Sequence, residues 1–261
     1  MAELTPDIQA DDGIIVRDLT MSFGPTVVQK DLCFHVRRAS IFVIMGVSGC
    51  GKSTLLRHMI DLQRSGNGDI SFDGQRLWTQ DQTERVALQR RIGVLFQSTA
   101  LWSSMTVGEN VALPLQLHTR LKPAEIADQV AFKLALVGLA GQESKMPSEL
   151  SGGMQKRAGI ARAIALDPDY LFLDEPSAGL DPITSQRLDA LIMRLRDALQ
   201  LSVVAVTHEL PSIFTIADDS IYLDNRSKTA IAHGDPCELA QHAEASRVRA
   251  FLNREPLDDD D

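Results

Sequence analysis

The residues with the clearest chemistry are Gly46-Val47-Ser48-Gly49-Cys50-Gly51-Lys52-Ser53. They fit G-x-x-x-x-G-K-[ST], the spacing of a phosphate-binding loop. Glycine at Gly46, Gly49 and Gly51 lets the backbone curl without a Cβ clash, so that successive N–H groups form a nest for an anion. Lys52 would reach the β- and γ-phosphates of a nucleotide, and the Ser53 hydroxyl would take a place on Mg²⁺. Such a loop needs a strand before it and a helix after it. Ile41 to Met45, all apolar, supply the first, and Thr54-Leu55-Leu56-Arg57-His58 opens the second. That helix would point its positive end at the phosphates. The combination marks a nucleotide site.

Three more apolar runs each end on a polar group. Ile92 to Phe96 leads to Gln97, Tyr170 to Leu173 to Asp174-Glu175, and Val203 to Thr207 to His208. Ligands of open α/β sheets bind beyond the carboxyl ends of the strands, which gathers these residues around the phosphate loop. Asp174 stands where P-loop NTPases keep the Walker B aspartate that helps hold Mg²⁺. Glu175 is then placed to polarise a water for attack on the γ-phosphate. Gln97 and His208 are weak signals singly; their common placement gives them weight.

The elements that must carry these residues read as follows. Ile14 to Val16, Leu19 to Phe23 and Leu32 to Val36 form an antiparallel β pattern ahead of the loop, with Gly24-Pro25 as a turn. Ser65 to Asp69 reads as a turn cluster, Ile70 to Phe72 as strand, and Thr83 to Arg91 as a polar helix. Residues 98 to 165 change to helical periodicity, with an amphipathic run from Pro123 to Leu139. Ile183 to Leu199 is an amphipathic helix, a hairpin turns around Asn225, and Val248 to Leu252 sits on a short helix. The expected architecture is one α/β domain over residues 1–261 with a helical insertion at about 98–165. Residues 1–12 read as a frayed acidic start and Asp258 to Asp261 as a solvated end.

A formal net charge of −9 over 261 residues argues against nucleic acid as the main partner, since phosphate contacts need clustered Lys and Arg. Three cysteines without C-x-x-C spacing fit reduced thiols. No apolar run approaches the 18 or so residues of a membrane span, so membrane work would require another chain. Cys50, inside the loop, should react with thiol reagents and be shielded by ATP if its side chain is exposed when the loop is empty.

Leu150-Ser151-Gly152-Gly153-Met154 precedes a helical run from Gln155 to Ala165. It reads equally as a second anion-binding helix start or as an ordinary glycine-bearing loop. One chain cannot easily wrap two such starts around one triphosphate, but a second copy can.

Together these motifs resemble an ATP-binding-cassette (ABC) ATPase, a P-loop NTPase with a RecA-like core, an antiparallel β subdomain and a helical insertion, over nearly the whole chain. The resemblance makes Leu150 to Met154 the signature motif, with Met154 departing from the usual Gln. It makes Gln97 the Q-loop glutamine, which links the γ-phosphate and metal to the helical insertion. Ser177-Ala178-Gly179-Leu180-Asp181 becomes the D-loop, His208 the switch histidine, and Phe23 the aromatic that stacks on adenine, although spacing alone favours a core phenylalanine there. It implies ATP and Mg²⁺ as cofactors, with Gly46, Ser48 to Thr54, Phe23, Ser151 to Gly153 and Asp181 at the nucleotide. Ser53, Gln97 and Asp174 would stand at the metal, and Glu175, His208 and Gln97 at the reaction. It further implies a head-to-tail homodimer with two ATPs at the interface.

Phe96 to Trp102, Met105 to Val107, Glu109 to Val111, Pro114-Leu115, Met146 to Leu150, Asp181 to Thr184 and Arg247 to Leu252 resemble the ATPases of Mla/Mce-type phospholipid transport. That branch implies an integral membrane permease, an Mce-domain protein and a STAS-domain regulator as partners, at the cytoplasmic face of the inner membrane. Leu101 and Trp102 would line the groove for the permease or, nearly as well, pack inside the helical insertion. An amino-acid or organic-solvent importer, or a soluble ABC ATPase, are the competing readings.

Overall fold

The computed structural model describes residues 12–256. The acidic C-terminal segment and all but the last residue of the N-terminal one lie outside this range.

The chain opens with two long strands, β1 (Ile14–Phe23) and β2 (Thr26–Val36), paired antiparallel across the Gly24-Pro25 turn. Strand β3 (Ile41–Met45) then runs into the phosphate loop and helix α1 (Lys52–Met59). Next come β4 (Asn67–Phe72), β5 (Gln75–Arg76), α2 (Gln82–Arg90) and β6 (Ile92–Leu95). Helices α3 (Val107–His118), α4 (Pro123–Leu136) and α5 (Gly152–Ala163) follow without an intervening strand. The chain returns through β7 (Tyr170–Asp174), α6 (Pro182–Leu199), β8 (Ser202–Val206), α7 (Leu210–Ile216), β9 (Asp219–Asp224), β10 (Thr229–Gly234), α8 (Pro236–His242) and α9 (Ser246–Asn253).

The strands form a four-stranded antiparallel sheet, β2-β1-β4-β5, and a six-stranded sheet, β10-β9-β3-β8-β7-β6. In the second, β6, β7, β8, β3 and β9 are parallel and β10 joins antiparallel at the edge. The pleat divides the core in two. Ile41, Val43, Met45, Leu171, Leu173, Val203 and Ala205 pack on one face with residues of α3 to α6. Phe42, Ile44, Tyr170, Phe172, Val204 and Val206 pack on the other with α1 and the antiparallel sheet. Alternate residues of a strand point to opposite faces, so strands covered on both sides must be apolar throughout. This is why β3, β7 and β8 read as unbroken apolar runs.

The expected turn at Ser65 to Asp69 differs from the structure, because Asn67 to Asp69 belong to β4 and pair with β1. Gly68 makes this possible: its φ is 87°, and a Cβ there would strike the backbone of Asp18 and Leu19. Only glycine admits the approach.

One buried acid links two helices beside this core. Asp189 on α6 is 3% exposed and accepts a hydrogen bond of 2.8 Å from Ser212 Oγ on α7. Burial pushes its carboxyl above the usual range, against the Ser212 hydrogen bond. The folded chain therefore holds this proton to higher pH than the unfolded chain, and stability falls as pH rises through the raised value. Asp189→Asn should melt at a higher temperature than the parent at pH 7.5, with the gain shrinking toward pH 4. Thermal unfolding across that range checks this; an equal difference at both ends would count against it.

Candidate nucleotide site

The phosphate loop joins β3 to α1. Gly46 adopts φ 142°, and a Cβ there would collide with the Leu223 carbonyl of β9, so the loop leaves the sheet through a gap only glycine fits. Gly51 caps α1 in the left-handed conformation (φ 104°). Lys52 is buried, and its ammonium donates to the carbonyls of Gly46 (2.9 Å) and Val47 (3.0 Å). Ser48 and Gly49 are exposed at the crest of the loop.

The carboxyl ends of the strands converge here. Ser53 Oγ donates to Asp174 Oδ1 at 3.0 Å, joining α1 to β7. A hydroxyl and a carboxylate are hard oxygen donors that suit Mg²⁺, which takes few protein ligands and keeps the rest of its shell from substrate and water. Among the described residues no cluster of three or more His, Cys, Asp or Glu forms a dedicated metal cage.

Glu175 follows directly, with φ 46° and its N–H bonded to the Val206 carbonyl (2.8 Å). Its Oε1 accepts from His208 Nδ1 at 2.8 Å, while Oε2 is buried without a hydrogen-bond partner. Buried polar atoms are nearly always paired, so Glu175 Oε2 is an acceptor that the fold leaves unused beside the phosphate loop. Gln97 is exposed just past β6, and Phe23 stands 53% exposed at the end of β1.

The signature segment behaves as a helix start. Ser151 caps α5, its Oγ accepting from the Met154 N–H at 3.3 Å. Gly152 and Gly153 lie against Leu180 and Thr184 of the same chain. Asp181 caps α6, accepting from the N–H groups of Ile183 (3.1 Å) and Thr184 (3.0 Å). Its hydrogen bonds to Thr184 hold its carboxyl below the usual range. Thus Ser53 meets Asp174, and Glu175, the next residue, meets His208. Gly152 and Gly153 instead lie against Leu180 and Thr184, which flank Asp181, and neither Ser151 to Gly153 nor Asp181 hydrogen-bonds the phosphate loop among the described residues. Leu101 turns partly into the core, whereas Trp102 is 58% exposed.

The exposure on which Cys50 reactivity depends is not met. Its side chain is buried against Gly46, and burial pushes the thiol up despite the pull of Lys52. Cys50 gives the loop backbone, not a reactive thiol. Brief maleimide treatment followed by peptide mass spectrometry should modify exposed Cys237 and leave Cys50 untouched, with or without ATP. Fast, ATP-sensitive labelling of Cys50 would restore the earlier expectation.

Gln29, Lys156 and the ion pair made by Arg247 were given no role at the site by the sequence reading. Gln29 on β2, fully buried, donates from Nε2 to the carbonyls of Cys50 (2.7 Å) and Asp224 (2.9 Å). It thereby steadies the phosphate loop against β9. Arg247 of α9 binds the Asp224 carboxylate at 3.0 and 3.1 Å, extending that brace to helix α9. Lys156 on α5 reaches the carbonyls of Gln97 and Glu175. The available signal was a lysine lying between Gly153 and Ile160 on the buried stripe of a helix.

The ABC transporter family pattern matches residues 29–178. The chain is 41% identical over 238 residues to the intermembrane phospholipid transport system ATP-binding protein MlaF of Escherichia coli K12, covering 91% of this chain and 87% of that protein. It is 40% identical over 240 residues to the probable ribonucleotide transport ATP-binding protein mkl of Mycobacterium tuberculosis H37Rv, covering 92% of this chain but only 66% of that longer protein. Its fold superposes with a TM-score of 0.75 on an ATP-binding cassette solved as a dimer in a post-hydrolysis state with ADP and Pi. That cassette is 27% identical, and the match covers 85% of this chain and 98% of the other. The chain belongs to the ABC transporter family, and ATP hydrolysis is the activity that membership gives its site.

Proposed function

We propose that this chain is the motor subunit of a phospholipid transporter, hydrolysing ATP to drive a membrane permease. The observation that carries the phospholipid reading is the identity with MlaF, which extends over nearly all of both chains. The mkl likeness keeps a ribonucleotide cargo as the second reading.

In this reading Phe23 stacks on adenine, the N–H groups of Ser48 to Thr54 cradle the phosphates, and Lys52 neutralises the β- and γ-oxygens. Ser53 and Asp174, with Gln97, would hold Mg²⁺, which offsets charge on the phosphate oxygens. Glu175 orients a water toward the γ-phosphate and takes up its proton; His208 holds the Glu175 carboxylate and reaches the same phosphate. Ser151 to Gly153 of a second copy close over the nucleotide, with Asp181 nearby, so that ATP favours a head-to-tail dimer and hydrolysis releases it. The cassette dimer solved with ADP and Pi supports this arrangement. Residues 98–165 form an inserted helical unit within the single domain 1–261, the lever by which closure reaches the permease. No helix among the described residues is long and apolar enough to cross a membrane. On the likeness to MlaF, the chain would sit at the cytoplasmic face of the inner membrane, held by the permease with an Mce-domain protein and a STAS-domain regulator.

A tagged pull-down from detergent-solubilised membranes, with mass spectrometry of bound lipid, tests the reading. Recovery of a permease and Mce partner with enriched phospholipid is the expected result; a membrane complex free of phospholipid that binds nucleosides would favour the other cargo. A soluble complex would overturn the transport reading. Within the complex, Trp102→Ala should lower permease-stimulated ATP hydrolysis severalfold and leave the basal rate of the isolated chain unchanged. Equal stimulation would remove Trp102 from the docking groove.

A further inference from the structure

Helix α5 presents two cations to the core of the site. Lys156, 5% exposed, donates from Nζ to the Gln97 carbonyl at 2.7 Å and the Glu175 carbonyl at 3.1 Å. Arg162, further along the helix, donates to the carbonyls of Ala100 (2.6 Å) and Thr99 (2.8 Å). One helix therefore grips both the segment after β6 and the residue after β7.

The backbone it grips is strained. Thr99, Ala100 and Glu175 have φ of 61°, 52° and 46°. Left-handed conformations at non-glycine residues persist where the surroundings over-determine them. Three of the four carbonyls held by these cations belong to those residues.

Lys156 is also costly for a purely structural group. Its hydrogen-bond partners are both neutral carbonyls, its Coulombic support comes from Asp174 and Glu175 at longer range, and burial lowers its affinity for the proton. A methionine would fill similar space without taking a charge out of water. What the ammonium adds is a fixed distance between three segments, with two of its three N–H donors committed to them.

We propose that Lys156 is a positioning residue for ATP hydrolysis. It locks the backbones of Gln97 and Glu175 to the helix that begins at Ser151-Gly152-Gly153, so the Glu175 carboxylate is aimed only when α5 is seated. The signature segment and the water-orienting carboxylate thereby become mechanically one unit. The proposal rests on Glu175 acting on the water.

The test compares Lys156→Met, Lys156→Arg and Glu175→Gln in the full-length protein. Turnover, KM for ATP, binding of a fluorescent ATP analogue and thermal unfolding are measured for each. A misaimed reacting group costs rate rather than affinity, so Lys156→Met should lower kcat roughly 10- to 100-fold while KM and binding stay within about twofold. Lys156→Arg, with donors for both carbonyls, should recover a substantial part of that loss. In the double variant Lys156→Met/Glu175→Gln, turnover should fall no further than in Glu175→Gln alone, because the two act through one group. Parent-like kcat in Lys156→Met overturns the proposal, as does a loss shared equally by kcat and binding with no recovery by arginine. If the methionine variant does not fold, Lys156→Gln, neutral and of similar length, decides on the same split. Normal turnover in Glu175→Gln would instead sink the reading beneath the proposal.

Discussion

Glu175→Gln should cut ATP turnover at least about 100-fold, the usual range for losing a general base, while ATP binds as in the parent. The argument begins with the two carboxylate oxygens. Oε1 accepts a hydrogen bond from His208 and Oε2 is buried without a partner. Glutamine keeps a carbonyl oxygen for His208 and nearly the same shape, so the left-handed turn at Glu175 and its N–H bond to Val206 should survive. What disappears is the capacity to accept a proton from water. Lys52, Ser53 and Asp174, the groups assigned to the phosphates and metal, are unchanged. Binding and hydrolysis therefore separate, and the variant should accumulate with ATP as a dimer by light scattering while the parent returns to its starting state. Parent-like turnover would falsify the assignment of Glu175. Loss of ATP binding would mean that the carboxylate supports the loop rather than the reaction.

The site was legible where its chemistry hangs on side chains at strand ends. Asp174, Glu175 and His208 each follow an apolar run, and a sheet covered on both faces forces such runs to end where polar groups can emerge. The same feature hides the sheet order. Strands apolar on both faces carry no periodic mark of which neighbour they take, so β3 between β8 and β9 could not be read from local pattern. Lys156, Arg162 and Gln29 were missed for a related reason. They act on backbone carbonyls, and a carbonyl has no letter in the sequence. Cys50 shows the converse limit: its position in the loop is plain from the sequence, but the direction of its side chain depends on Gly46 and β9, which lie together only in the fold. The short helix α8 was overlooked although Asp235-Pro236, a cap followed by proline at the first helical position, announces it.

Lys52→Ala should weaken ATP binding by about 3 kcal/mol, roughly 100-fold, while changing the melting temperature little. Hydrogen bonds to charged groups contribute about 1.5–3 kcal/mol each, and the ammonium is assigned to oxygens of two phosphates. Without nucleotide, its partners are the Gly46 and Val47 carbonyls of its own loop. To serve ATP it has only to exchange neutral carbonyls for charged oxygens a short distance away, so little of the gain goes to ordering the side chain. Removing it leaves two carbonyls short of a donor but also abolishes the desolvation of a buried charge, and those effects oppose each other in stability. The loop should hold its shape, because Gln29 still ties the Cys50 carbonyl to β9 and Gly51 still caps α1. Titration with a fluorescent ATP analogue beside thermal unfolding separates the two effects. Binding within about threefold of the parent, less than 1 kcal/mol, would mean that the backbone nest and the helix end alone hold the triphosphate. A large fall in melting temperature would mean that the ammonium is chiefly a brace of the loop.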